Sequence, residues 1–154
     1  RAMPNAPAAV GRGITVAAAN GQVTGQQKSR CDGLLGTIGD VAWIDDEGLM
    51  DAVTAVSGSG PAYVFLLAEC LAEAGREAGL PAELSDQLAR ATVAGVGELL
   101  HQSGDSATRL RENVASPGGT TAAVTNSLDL YEKSQTTFSL NLLSSKPSIL
   151  NPNL

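Results

Sequence analysis

Residues Ala82 to Gln102 read as a helix that is apolar around most of its circumference. Leu84, Leu88, Ala91, Gly95 and Leu99 fall on one face at helical spacing, and Ala89, Val93, Val96 and Leu100 fall on another. The polar stripe is narrow, roughly Glu83, Gln87, Arg90 and Glu98. A helix of this kind must be covered on several sides, and one chain of 154 residues has too few helices to do so. The pattern therefore points to a bundle shared between subunits. With 43% hydrophobic but only 3% aromatic residues, its core must be built from small side chains at close helix–helix contact.

The segments around this helix have different textures. From residue 1 to about 46, short elements are broken by glycine. Gly13 to Ala18 has the β-branched content of a strand and stops at the turn signal Asn20-Gly21. Gln22 to Ile38 reads as a weak helix ending at Gly39, and Val41 to Ile44 as a second strand, an order that suggests an α/β unit. Met50 to Ala78 forms a long helical pattern interrupted at Ser57-Gly58-Ser59-Gly60-Pro61. Val64, Leu67, Leu71 and Ala74 make its apolar face, and Gly79 stops it. Ser103 to Ser106 is a capped loop before a short charged helix, Ala107 to Val114. Beyond about Asn126 the chain becomes rich in Ser, Thr, Asn and Leu, and two late prolines discourage a regular helix.

Charge and residue types exclude several functions. A net charge of −6 repels phosphates and anionic lipid, so neither nucleic acid nor membrane is an expected partner. No apolar run reads as approaching a membrane span, and Arg1-Ala2-Met3-Pro4 does not resemble a secretory signal; an opening on Arg suggests a fragment. Cys31 and Cys70 lack CxxC or CxxH neighbours, so neither a structural zinc site nor a disulfide framework is implied and a cytoplasmic setting fits. Cys70 reads as a small core residue and Cys31 as a helix-surface thiol. His101 is the sole histidine, with no nucleophile elbow near it, and fits a helix C-terminal position.

Three stretches could carry chemistry. In Ser116-Pro117-Gly118-Gly119-Thr120-Thr121, two glycines free the backbone to aim successive N–H groups one way, and a helix starting at Thr120 or Thr121 would add its positive end. That makes a carboxylate or phosphate site without a basic side chain; a helix-to-helix turn capped by threonine is the simpler alternative. Ser57 to Tyr63 lacks the third glycine of a dinucleotide fingerprint and suits close helix packing, though a kinked helix there could expose Ser and Gly backbone at an active-site wall. Asp45, Asp46, Glu47 and Asp51 have no metal-ligand spacing, and the helix macrodipole accounts for them; no metal is expected.

Arg1 to Pro7, Asp51 to Tyr63 and Asn113 to Thr121, in this order and spacing, resemble pyrroline-5-carboxylate reductase over about residues 1–123. The resemblance implies a mainly α chain: a helical dimerisation domain like the C-terminal domain of 6-phosphogluconate dehydrogenase, preceded by the last α/β elements of a truncated Rossmann domain. The implied divisions are a Rossmann remnant at 1–46, a helical dimerisation and substrate domain at 47–125, and a divergent tail at 126–154, the abrupt change a frameshift or fusion would produce. It implies a cytoplasmic homodimer or higher homo-oligomer that reduces 1-pyrroline-5-carboxylate to L-proline with NADP or NAD as cofactor. Hydride would pass to the C5 imine carbon.

By the same resemblance Ser116, Gly118, Gly119, Thr120 and Thr121 bind the substrate carboxylate, and the Thr121 hydroxyl lies near the ring nitrogen as the catalytic group. Asn113 contacts the cofactor and Glu47 lies near substrate. Because no GxGxxG follows an opening strand, the chain alone should bind dinucleotide poorly. Two other classes fit the helices: a non-catalytic dimerisation module, and a related NADP-dependent imine or hydroxyacid reductase.

Overall fold

A computed structural model describes residues 1–115 of the chain, in two units, 1–74 and the part of the second beginning at Gly75. The first unit is built on a three-stranded sheet in the order β1 (Ala2–Met3), β2 (Gly13–Ala18), β3 (Gly39–Ile44). β1 runs antiparallel to β2, with Met3 opposite Val16, and β2 runs parallel to β3 from Gly13↔Gly39 to Ala18↔Ile44. The Asn5 carboxamide oxygen accepts from the Ile14 N–H at 2.9 Å and ties the β1–β2 connection to the sheet.

β2 is buried at Gly13 and throughout Thr15–Ala18, so it shows no alternation. A strand covered on both faces reads as a continuous small or apolar run, which is how its sequence looks. After it the Asn20 side chain accepts from the Gln22 N–H at 3.0 Å, so Asn20-Gly21 makes a side-chain-supported turn rather than a hairpin. Helix α1 (Gly25–Leu35) then starts at a capping box. The Gln27 N–H donates to Thr24 Oγ1 at 3.3 Å and the Thr24 N–H to Gln27 Oε1 at 2.8 Å. The helix is shorter at both ends than periodicity suggests, because the cap fixes its start and a 3₁₀ turn, Gly36–Ile38, ends it. The Trp43 indole N–H donates to Asp32 at 2.7 Å, with Lys28 over the ring at 5.1 Å, which fastens α1 to β3.

Gly39 opens β3 at φ 141, and a Cβ built there would overlap the Gly13 backbone. Only glycine fits both the conformation and the close approach. Gly39→Ala is expected to destabilise the chain by about 2 kcal/mol, read as a lowered urea midpoint at unchanged slope.

Glu47 to Glu77 is one helical run: a 3₁₀ turn (Glu47–Leu49), α2 (Met50–Val53), a π turn (Thr54–Gly58) and α3 (Gly60–Glu77). The expected interruption at Ser57–Pro61 is instead a widened turn, with the Ser59 N–H donating to the Thr54 carbonyl at 2.9 Å. Pro61 falls in the first turn of α3, where its fixed φ suits the helix. Joining the two apolar stretches corrects one expectation. By length and composition alone this helix, with a window mean hydropathy of 1.3, is apolar enough to cross a membrane.

α3 carries Tyr63, Val64, Phe65, Leu66, Leu67 and Leu71 exposed, and Ala72 is its one buried residue. Cys70 is exposed too, not in a core, because nothing among the described residues covers that part of α3. Gly79, at φ 95, terminates the run.

In the second unit α4 (Ala82–Gln102) has the bounds its periodicity predicts, and α5 (Ala107–Val114) is capped by Ser106, whose Oγ accepts from the Arg109 N–H at 3.2 Å. Only Ser85 and Ala89 of α4 are buried, while Leu88, Val96, Leu99 and Leu100 are about half exposed. Ser85 packs on Gly75, where a Cβ would overlap its Oγ, and Arg76 bridges to Asp86 at 2.7 Å.

Candidate functional site

α5 delivers the chain to the proposed loop. It ends at Val114, and Ala115 is already extended (φ −89, ψ 109) immediately before Ser116-Pro117. Asn113 occupies the last turn of α5 with its side chain exposed. Ser116, Gly118, Gly119, Thr120 and Thr121 lie outside the described residues, as does the stretch 126–154.

Glu47 starts the long helical run in the first unit, where Asp46 caps the turn by accepting from the Gly48 N–H at 2.8 Å. Its carboxylate is exposed and pairs with the Arg1 guanidinium at 3.1 Å. Forty-six residues separate the two, so no local pattern announces the pair. Asp46 in a capping role accords with the dipole account of the acidic cluster, and among the described residues no three His, Cys, Asp or Glu gather as a metal site. Glu47 and Asn113 fall in different units, and each is placed only within its own.

The third feature is the π turn. Thr54 Oγ1 donates to the Met50 carbonyl at 2.9 Å and Ser57 Oγ to the Val53 carbonyl at 3.1 Å, so both hydroxyls are turned back onto their own helix. A Cβ on Gly58 would come within 2.9 Å of the Met3 side-chain methyl, which places the turn beside β1. π turns inside α-helices are frequent at functional sites. The sequence signal was present in Ser57 to Pro61, but an added residue in a helix reads as a break in periodicity. His101 lies in the last turn of α4, as its position predicts.

Comparison with known proteins identifies what these elements are similar to. The family model for pyrroline-5-carboxylate reductase dimerisation matches residues 47–139, which carries the family pattern past the point near Ala123 where the motifs stop and the composition shifts. A pyrroline-5-carboxylate reductase from Synechocystis is 47% identical over 123 residues, covering 80% of this chain and 46% of the relative. The structure of such a reductase from Coxiella burnetii superposes with a TM-score of 0.85 at 36% identity, over 93% of this chain and 53% of that one. A Plasmodium falciparum pyrroline carboxylate reductase structure with NADP bound gives 0.70 at 35% identity, over 92% and 56%. The chain thus spans just under half the length of the Synechocystis relative.

Proposed function

The chain belongs to the pyrroline-5-carboxylate reductase family, and we propose that it is the dimerisation and substrate-binding half of an enzyme reducing 1-pyrroline-5-carboxylate to L-proline, the final step of proline biosynthesis. The observation that carries this reading is the family match beginning at Glu47, where β3 gives way to the long helical run. Residues 1–46 are then the end of a Rossmann domain, supported by the parallel β2–α1–β3 unit.

The faces of α3 and α4 that the described residues leave open support a homodimer or higher homo-oligomer, in which a second copy buries Leu67, Leu88 and Val96. Burial in such an assembly, rather than in a bilayer, then accounts for the apolar run from Glu47, and the reading takes the protein to be cytoplasmic. In the loop Ser116 to Thr121, main-chain N–H groups of the Pro-Gly-Gly bend hold the substrate carboxylate, and the Thr121 hydroxyl stands at the ring nitrogen, where it supports the proton there. Asn113, one turn before the loop, contacts the cofactor, and Glu47 lies near the substrate.

Nicotinamide dinucleotide supplies the hydride when bound. Asn113 is assigned to its reactive end. The β2-to-α1 connection, Ala19-Asn20-Gly21-Gln22-Val23-Thr24, is no pyrophosphate-binding glycine loop, so this connection does not hold the diphosphate. NADPH oxidation with pyrroline-5-carboxylate tests the proposal. The full-length protein carrying this sequence should turn over and form L-proline, while the 154-residue chain alone should not. No oxidation by the full-length protein would leave a non-catalytic dimerisation module.

A further inference from the structure

The π turn holds two polar groups that the reading above does not use. Ser59 has its main chain engaged, donating to Thr54 at 2.9 Å and accepting from Ala62 at 3.0 Å, but its half-buried side-chain hydroxyl has no hydrogen-bond partner among the described residues. Two residues on, Pro61 has no N–H, so the Ser57 carbonyl lacks the donor that a helix supplies from four residues ahead. The neighbouring Ala62 N–H is engaged by Ser59. The turn therefore presents one hydroxyl able to donate and one carbonyl able only to accept.

Its location is equally specific. Gly58 lies against the Met3 methyl, and Met3 pairs with Val16 in the carboxyl-terminal half of β2. In an open α/β sheet ligands collect beyond the carboxyl ends of the parallel strands, and β2 and β3 run parallel here toward Ala18 and Ile44.

We propose that the Ser59 hydroxyl and the Ser57 carbonyl bind the carboxamide of the nicotinamide ring. A primary carboxamide offers one carbonyl oxygen and one amine, which complement one donor and one acceptor. A substrate carboxylate would set its charge against the Ser57 carbonyl oxygen, and a ring N–H would leave the Ser59 hydroxyl unused. The inference rests on the reading that the full-length protein uses a nicotinamide dinucleotide.

Its test is dinucleotide affinity, measured by NADPH fluorescence on the full-length protein without substrate. Ser59→Ala should weaken NADPH binding about fivefold, the ratio a hydrogen bond of ordinary net strength gives, at unchanged melting temperature, and Ser59→Thr should restore it. The 3-acetylpyridine analogue, which lacks the amine, should bind the unsubstituted protein about fivefold more weakly than NADPH. Unchanged NADPH affinity in Ser59→Ala overturns the proposal, and so does a loss accompanied by a lower melting temperature that threonine does not restore. A parent protein that binds NADPH yet leaves pyrroline-5-carboxylate unreduced sinks the proposed function instead, and the carboxamide contact is still decided by the same titration.

Discussion

Leu67→Glu is expected to turn a self-associating protein into a monomer. Leu67 sits on α3 with 54% of its surface exposed, in a run where Val64, Phe65, Leu66 and Leu71 are exposed as well. One partner helix covers one stripe; apolar residues on successive positions call for cover on more than one side. A symmetric dimer uses the same patch twice, so one substitution buries two carboxylates. Each loses its hydration without a cationic partner, a cost of several kcal/mol per ion. With tenfold in affinity for each 1.4 kcal/mol, association should weaken by at least about a thousandfold. Sedimentation velocity of parent and variant reads this directly. A variant that still sediments as the parent would show that this face of α3 is not the one a second copy covers.

Thr121→Ala in the full-length protein should lower kcat by about a hundredfold, within the range that one positioned proton-handling group contributes, while the melting temperature stays close to that of the parent. The hydroxyl is proposed to stand where the ring nitrogen gains its proton, so its removal acts on the transition state more than on the fold. Thr121→Ser keeps the hydroxyl and should recover most of the rate. A Thr121→Ala protein with parental kcat would remove the residue from the chemistry.

How much of this was legible in the sequence differs by element. α4 has its predicted bounds, Ala82–Gln102, because a long apolar periodicity flanked by Pro81 and Ser103-Gly104 leaves little choice. β2 is legible from β-branched content and the Asn20-Gly21 turn signal, and β3 from the apolar run Val41 to Ile44, though the strand begins two residues earlier at Gly39. α1 is shorter than its periodicity suggests, since weak amphipathicity gives no edge and only the Thr24–Gln27 capping box marks where it starts. The π turn was hidden for another reason: one added residue shifts the helical phase, and a phase shift looks like an interruption. Residue type alone puts Cys70 in a core, yet it lies on a helix face that the described residues leave open.

The candidate site was legible in a different way. The Pro-Gly-Gly sequence suggests an anion site from backbone chemistry, but a capped turn is the simpler reading, and the assignment to a substrate carboxylate comes from resemblance. The Arg1–Glu47 pair joins residues 46 apart and needed the antiparallel β1–β2 pairing to become visible. The Ser59 hydroxyl, without a partner among the described residues, likewise emerges only once Thr54 and Ser57 are seen bonded to their own helix.

The central claim is that the full-length protein delivers a hydride to the C5 carbon of a cyclic imino acid held by this chain. Turnover of pyrroline-5-carboxylate with NADPH deuterated at the transferable position, followed by mass spectrometry of the product, tests it most directly. The account predicts L-proline one mass unit heavier, with the deuterium on C5. Proline free of label, or dinucleotide oxidation without proline, would contradict it.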